Sequence, residues 1–269
     1  MRLAQRAFLL TAAALLLGGL TLPAADMAYM AQRQLLLIHE EIANPSRLAA
    51  YESTTKEFIG ALKASNATSF PSFDVVMTDD FSYFFVAPIK GFADVGMVPQ
   101  GFAEVASKMG EAKFAEMMRR AGEPMVASND SIVTSRPDLS YWPADYTKAA
   151  NEAMAVNYDV YYILPGREMD AEAIAREWQA LYKQKGMTEG YMIYQAITGH
   201  DLPVWAVAFY GKSPADLAAK MEAANAKLGA EGQALNARTL QLVRRFERRV
   251  GIRRPDLSYR APAPMTAAN

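Results

Sequence analysis

The sequence contains no cysteine, and only two of its 269 residues are histidine. The lack of cysteine excludes disulfides, thiolate metal sites, cysteine nucleophiles and c-type haem attachment. Neither sign of charge is in excess, since 28 basic residues stand against 29 acidic ones. This balance gives no indication of a nucleic-acid partner. Any chemistry that needs an imidazole depends on His39 or His200.

Long apolar runs are also scarce. Residues 7–22 form one, after Arg2 and Arg6 and before a stretch of small residues that ends at Ala25. Its 16 residues fall short of the ~20 that a helix needs to span a bilayer. A positive start, an apolar stretch and small residues are typical of a signal peptide, which we place at residues 1–25. We therefore predict a periplasmic or secreted protein with no membrane span after cleavage; a retained anchor is the alternative.

What the sequence does contain is a repeated hexapeptide. RPDLSY occupies residues 136–141 and again residues 254–259, 118 positions later. Such a repeat indicates an internal duplication. With 269 residues, 51% of them hydrophobic, the chain is long enough for two units that each bury a core. We place the first repeat at residues 33–145, the second at residues 155–260 and a flexible tail at residues 261–269.

The first half begins with a Leu- and Ile-rich run from Leu35, which is followed by the helix-start signal Asn44-Pro45. The next segment has apolar residues at spacings of three and four, as an amphipathic helix does. Two strand-like runs joined by a turn with paired Asp residues follow, then helical segments and a last strand. The predicted order is strand, helix, strand, strand, helix, strand.

The second half shows the same order with different residues. A strand-like run ends near Gly166, and we predict Asp170 as the cap of the following helix. A hairpin comes next, and then a helix whose start signal is Ser213-Pro214. The Arg-rich segment after this helix either forms the last strand or extends the helix.

This order of elements, the split βαβ unit repeated twice over residues 33–260, resembles the dimeric α+β barrel superfamily in a tandem form. The resemblance implies an α+β fold of two ferredoxin-like units, whose antiparallel sheets pack as an intrachain barrel. The superfamily includes haem-dependent chlorite dismutase-like enzymes, cofactor-free monooxygenases and proteins of unknown function. Fold alone therefore decides little about activity.

The candidate for acid–base or metal chemistry is the cluster His39-Glu40-Glu41 at the end of the first strand. Strand alternation places His39 and Glu41 on one face and Glu40 on the other. If that face borders the space between the sheets, His39 is a candidate catalytic base or haem ligand, oriented by Glu41. If the strand end emerges into water, the cluster is simply solvated. His200 falls in a predicted turn, where we expect it to be exposed.

Aromatic and polar residues of the predicted strands are candidates for a small-molecule site between the sheets. Tyr83 and Trp205 lie on the bulky faces of their strands, so we expect these faces to meet the opposite sheet and the small faces to meet the helices. A polar side chain inside an apolar strand is expected to form a hydrogen bond or to serve a function, because burying it unpaired is costly. The candidate ligand-binding residues are Asp74, Tyr83, Tyr194, Gln195 and Trp205. A filled, dry core is the alternative.

The two hexapeptides are predicted to be structural. Each proline favours extended geometry in the preceding arginine and suits a strand that leaves a sheet edge. The Asp-Leu-Ser segment can fold back on its own backbone. The structural set is Arg136, Asp138, Tyr141, Arg254, Asp256 and Tyr259. The alternative is that the arginines contact an anionic ligand.

Together these patterns predict an exported α+β barrel that binds a small apolar or aromatic ligand, with no cofactor required and no metal-binding motif. The alternatives are an enzyme on the same barrel or a non-catalytic envelope module with a filled core. The enzyme would be either haem-dependent through His39 or a cofactor-free monooxygenase.

Overall fold

The computed structural model describes residues 33–144 and 146–262. The predicted signal peptide, residues 1–25, and most of the predicted tail lie outside the described residues. Across those two ranges, no helix is both long enough and apolar enough to cross a bilayer.

In the described residues, the first half forms four strands and three α-helices. The strands are β1 (Leu35–Ala43), β2 (Asp74–Thr78), β3 (Ser82–Ile89) and β4 (Met125–Ser135), and the helices are α1 (Leu48–Ser65), α2 (Met97–Met109) and α3 (Glu111–Gly122). The start signal at Asn44 is confirmed, because its side chain accepts a hydrogen bond from the Ser46 amide at 3.0 Å. It caps a short 3-10 helix that leads into α1.

The second half has the strands β5 (Ala155–Ile163), β6 (Met192–Thr198), β7 (Val204–Gly211) and β8 (Val243–Arg253), and the helices α4 (Tyr146–Asn151), α5 (Glu168–Gln184) and α6 (Pro214–Leu240). Ser213 caps α6 as predicted, by accepting from the Asp216 amide at 3.2 Å. The cap prediction for α5 is wrong: Arg167 occupies the cap position and Asp170 lies in the first turn. A carboxylate is also favourable there, because it faces the positive end of the helix dipole.

All eight strands form one closed barrel in the order β1-β3-β2-β8-β5-β7-β6-β4. Within each half the order is that of a ferredoxin-like unit, so the predicted α+β fold of two tandem units is confirmed. The halves join where β2 pairs with β8 over residues 76–78 and where β4 pairs with β6 over residues 132–135. Closure removes the free sheet edges.

The inward-facing side chains of the barrel include small residues at the centre. Ala208 is fully buried against Val76 and Val156. Gly251 has no room for a side chain, because a Cβ atom there would lie 2.6 Å from Val76 Cγ1. An eight-stranded barrel is only just wide enough to hold side chains. On β7, Ala208 and Tyr210 face inward, whereas Trp205 and Phe209 face the helices.

Tyr83 and Trp205 accordingly belong to the two cores between the barrel wall and the helices. The expectation that their faces meet the opposite sheet is wrong, because helices cover the side of the strands on which they lie. Tyr194, by contrast, packs with the inward-facing cluster inside the barrel.

Each repeated hexapeptide ends one half and packs on the other, and we call it a clasp. In the first clasp, the Arg136 amide donates to the Ile193 carbonyl at 2.8 Å, and Leu139 is fully buried in the helix-facing core of the second half. In the second clasp, the Arg254 amide donates to the Val75 carbonyl at 2.7 Å. Leu257 is equally buried in the core of the first half. The duplication thus interlocks the two halves.

The clasp side chains repeat the same contacts. Arg136 donates through Nε and Nη2 to Asp138 at 2.9 and 2.8 Å, and through Nη1 to Glu172 at 2.8 Å. Arg254 binds Asp256 in the same bidentate way and also binds Glu52. The tyrosine that ends each clasp forms a β-bridge, Tyr141 with Tyr191 and Tyr259 with Phe73. Both guanidinium groups are therefore engaged by carboxylates, which favours the structural interpretation over anion binding.

Candidate functional site

The core between barrel and helices differs between the halves. In the first half it is packed with phenylalanine rings: the Phe70 ring lies 5.3 to 6.1 Å from the rings of Phe58, Phe73 and Phe102. In the second half, a cavity of about 470 Å³ lies between the sheet and helices α5 and α6. Small-molecule sites typically have volumes of roughly 300–1,000 Å³. The cavity is therefore large enough for a ligand.

Small residues on the two helices leave this space open. Ala171 and Ala175 of α5 and Ala224 and Gly232 of α6 all line it. Helix α6 is also interrupted there, since Gly229 has φ 56° and ψ −144°, a conformation that side chains disfavour. The two segments of α6 meet at the cavity wall.

The wall of the cavity combines aliphatic and aromatic side chains. Its aromatic residues include Tyr161, Trp178, Tyr182, Tyr191, Trp205 and Phe209. Burial raises the pKa of Tyr161, Tyr182 and Tyr191 well above the usual value for a phenol. These hydroxyls therefore stay protonated and can donate hydrogen bonds.

An ion pair faces the cavity from the sheet, with its carboxylate buried and its guanidinium half exposed. Asp159, on β5, is 5% exposed and accepts from Arg248 Nε at 2.7 Å, from Arg248 Nη2 at 2.9 Å and from Asn157 Nδ2 at 2.8 Å. Elsewhere in the lining, Lys220 pairs with Glu189 at 3.5 Å. Among the described lining residues, each cation therefore has a carboxylate partner, and the charges cancel.

Two hydrogen-bond donors in the wall have no partner among the described residues. Tyr191 Oη and Trp205 Nε1 are both buried and unpaired, in residues that are 3% and 4% exposed. Trp178 differs, because its Nε1 donates to Thr239 Oγ1 at 3.0 Å. An unsatisfied buried donor costs about 1–3 kcal/mol. Both atoms have almost no accessible surface, so in this structure they are enclosed in the wall rather than open to the cavity.

His39 does not line the cavity; it lies on β1 in the first half, on the helix-facing side with Glu41. Its Nδ1 is 2.8 Å from Asp130 Oδ1 and its Nε2 is 3.1 Å from Glu41 Oε1. Glu41 in turn accepts a hydrogen bond from the Tyr51 hydroxyl. Burial disfavours the charged imidazole, but the hydrogen bonds and charges of Glu41 and Asp130 outweigh it and raise the pKa of His39 to about 9. At neutral pH His39 is an imidazolium that donates from both nitrogens.

A haem held by histidine or cysteine does not fit this arrangement. The chain has no cysteine, and neither histidine is among the residues that line the cavity. An imidazolium has no lone pair for iron, so His39 is not a ligand in this state. In the part of the chain that the structure describes, no group of three or more histidine or acidic side chains is placed to hold a metal ion.

Of the five predicted ligand-binding residues, Trp205 is the one found in the cavity wall. Asp74 is exposed and paired with Arg260. The carbonyl oxygen of Gln195 accepts from Arg136 Nη1 at 2.7 Å, so its place is in the first clasp.

The remaining predicted residues lie elsewhere. The Tyr83 hydroxyl donates to Glu52 at 2.9 Å, beside the second clasp. The Tyr194 hydroxyl lies inside the barrel, 3.2 Å from that of Tyr210. His200 is exposed in the turn between β6 and β7, as expected.

Sequence reasoning missed the polar side chains of β5. Asn157, Asp159 and Tyr161 occupy every second position of an otherwise apolar strand and so share its helix-facing side. The same signal, a carboxylate inside an apolar strand, drew attention to Asp74. It is stronger in β5, because two polar residues alternate there with hydrophobic ones.

Comparison with known proteins finds similar structures but no similar family or curated sequence. No protein-family model and no curated protein sequence matches the chain. An anthrone oxidase-like protein superposes with a TM-score of 0.54 at 10% identity, over 89% of this chain and 98% of that one. A chlorite dismutase from Candidatus Nitrospira defluvii superposes with a TM-score of 0.48 at 12% identity, over 86% of this chain and 96% of that one. A putative monooxygenase from Fusobacterium nucleatum superposes with a TM-score of 0.47 at 11% identity, over 82% of this chain and 92% of that one.

The likeness to the anthrone oxidase-like protein shows that the barrel fold is shared over almost the whole described chain. It agrees with the barrel fold that the order of elements indicated. At 10% identity the likeness concerns the fold alone.

Proposed function

We propose that this protein binds a small aromatic molecule in the cavity of its second half. The observation that carries the proposal is an aromatic-walled space of about 470 Å³ at a position where the first half is packed with phenylalanine rings. Apolar pockets with a few convergent polar groups are the usual form of small-molecule sites. The site lies between helices and barrel wall, rather than between the sheets as the sequence predicts.

Calorimetric titration of the full chain with naphthalene tests the proposal, since naphthalene is apolar, aromatic and smaller than the cavity. Ala175→Leu should abolish or strongly weaken binding, because the added side chain fills the space beside α5. Ala115→Leu is the matched control, since Ala115 is exposed on α3 of the other half. No heat of binding to the unmodified protein, or equal binding to the Ala175→Leu variant, would contradict the proposal.

A second candidate is cofactor-free oxidation of the bound molecule, which the fold shared with an anthrone oxidase-like protein makes worth testing. Asp159 is the buried carboxylate of the wall and the candidate proton acceptor. Oxygen uptake with anthrone as substrate, lost in the Asp159→Asn variant, would support it. Binding of anthrone without oxygen uptake would leave a binding protein. Absorbance in the visible region, read on the same sample, would reveal a haem that the geometry does not favour.

The proposal includes export, which the pattern of residues 1–25 supports. Cell fractionation and N-terminal sequencing in the native host test it. We expect a processed chain that starts near Asp26 outside the cytoplasm. A full-length chain in the cytoplasmic fraction would contradict export without affecting the cavity.

A further inference from the structure

Four arginines of the described residues bind a carboxylate through the same edge of the guanidinium group. Arg119, Arg136 and Arg254 each donate from Nε and Nη2 to the two oxygens of one acidic side chain. Arg248 binds Asp159 in the same way, at 2.7 and 2.9 Å. In all four the Nη1 group lies outside this bidentate pair and is free to make another contact.

The fourth arginine differs from the others in what its Nη1 group binds. In Arg119, Arg136 and Arg254, Nη1 donates to a second carboxylate, which belongs to Glu123, Glu172 and Glu52 respectively. Nη1 of Arg248 has no hydrogen-bond or ion-pair partner among the described residues. Arg248 therefore has one carboxylate where each of the other three arginines has two.

Arg248 lies at the opening of the cavity. It is one of the lining residues, yet its side chain is 52% exposed, whereas Asp159 is buried. The pair thus extends from the cavity wall towards solvent, with the arginine on the outer side. The other exposed members of the described lining are Asn225, Gln233 and Asn236 of α6. A residue that lines the cavity and is also exposed marks the place where the cavity meets solvent.

Aromatic rings connect this opening to the interior of the cavity. Tyr161 lines the cavity, and its ring lies 5.1 Å from that of Phe246 on the neighbouring strand β8. The Cζ atom of Arg248 is 5.7 Å from the centre of the same Phe246 ring. A planar ligand that packs on these rings would therefore lie within reach of the guanidinium group.

We infer that the ligand is an aromatic carboxylate, with its ring in the cavity and its carboxylate on Nη1 of Arg248. The inference rests on the proposed function. The ligand supplies the second carboxylate that the other three arginines obtain from this chain. Because the opening is exposed, the anion keeps part of its hydration, which lowers the free-energy cost of binding it there. The amides of Asn225, Gln233 and Asn236 are neutral, so they do not repel it.

Calorimetric titrations of the full chain with 2-naphthoate and 2-naphthamide test this inference. The two probes have the same ring system and nearly the same shape, but only the naphthoate is charged at neutral pH. The readout is the ratio of the two affinities, because a change in ring packing acts on both probes. We expect the naphthoate to bind about fivefold to tenfold more tightly, as a charge-assisted hydrogen bond at a half-exposed site provides.

The deciding variant combines Arg248→Gln with Asp159→Asn, which removes both charges of the pair and leaves the net charge unchanged. It should bring the affinity ratio to about one. The matched control combines Arg245→Gln with Asp201→Asn, a pair at 2.8 Å that starts from the same strand. Neither residue of the control pair lines the cavity, so the ratio should persist.

A single variant, Arg248→Lys, covers the case in which the double variant does not fold. It keeps a cation beside Asp159, but an amine lacks the second edge that the guanidinium group offers to another carboxylate. The affinity ratio should therefore fall in this variant as well. The comparison of the two probes on the unmodified protein needs no variant.

The outcomes separate the inference from the proposed function. Equal or weaker binding of the naphthoate, or a preference that survives the changes at Arg248, would overturn the inference and leave the cavity as a site for neutral aromatic molecules. An equal loss of preference in the Arg245 control would also overturn it. Failure of both probes to bind the unmodified protein would overturn the proposed function and the inference with it.

Discussion

The two halves of this chain share a fold, a clasp and a strand order, yet they use the space under their helices differently. The first half fills it with Phe58, Phe70, Phe73 and Phe102. The second half keeps alanine and glycine on its helices and leaves a cavity with polar groups in its wall. A duplicated unit can thus keep one copy as a packed scaffold while the other copy becomes free to bind. The interlocked clasps connect the stability of the hollow half to that of the packed half.

The largest effect is expected at the clasp leucines, which are equivalent and fully buried. Leu257→Ala and Leu139→Ala should each lower the free energy of unfolding by about 3–5 kcal/mol, from lost burial and a new void. Leu139→Ala should lie at the lower end, because its core adjoins a cavity and can relax. Urea unfolding of both variants measures the difference. A larger loss of unfolding free energy in Leu139→Ala than in Leu257→Ala would contradict the expected difference between the two cores.

The next effect concerns added volume. A Cβ at Gly101 on α2 would lie 2.6 to 2.9 Å from Phe70 atoms, so Gly101→Ala should destabilise by about 1–3 kcal/mol. In the second half, Ala175→Leu extends into open space and should change the free energy of unfolding by less than about 0.5 kcal/mol. Thermal melts compare them. Equal destabilisation would mean that the cavity beside α5 cannot accommodate a leucine side chain.

A smaller effect is expected from pH at His39 in the first half. Because the pKa of His39 is raised from 6.5 to about 9 in the folded state, its contribution is fully present below pH 6.5 and is lost as pH rises through 9. His39 is 39% exposed, so screening by solvent should reduce this contribution to about 1 kcal/mol. Melting temperatures at pH 6, 8 and 10 should fall more steeply for the unmodified protein than for His39→Gln. Parallel curves would show that the imidazolium contributes nothing.

The smallest effect is expected at Tyr191. Tyr191→Phe removes a buried hydroxyl that has no partner among the described residues, so the free energy of unfolding should stay the same or rise by up to about 1 kcal/mol. The matched change in the clasp is Tyr141→Phe, whose hydroxyl donates to the Met187 carbonyl at 2.9 Å. The free energy of unfolding of the Tyr141→Phe variant should fall by about 1 kcal/mol. Urea unfolding of the pair tests the sign of the difference.

The fold was predictable because its signals are local and repeated. RPDLSY marks the duplication, and helix and strand periodicity gives the order of elements. The clasp partners were not predictable, because each hexapeptide packs on the other half. The side of the strand on which Trp205 lies was predicted wrongly, since the bulk of a side chain does not tell which face of a strand the helices cover.

The candidate site was less accessible to sequence reasoning. His39 attracted attention as a rare residue beside Glu41, which helps to raise its pKa, but its second partner, Asp130, lies 91 positions away. The cavity depends on small residues from two helices and on the break at Gly229, none of which is unusual in its own segment. Only the alternation of Asn157 and Asp159 in β5 carried a local signal.

The most direct test of the account is to locate an aromatic ligand in a crystal of the full chain soaked with 1-bromonaphthalene, using the anomalous signal of bromine. The account predicts a peak in the second half, between α5 and β7 and close to Trp205. A peak inside the barrel beside Tyr194, or no peak at saturating concentration, would contradict it.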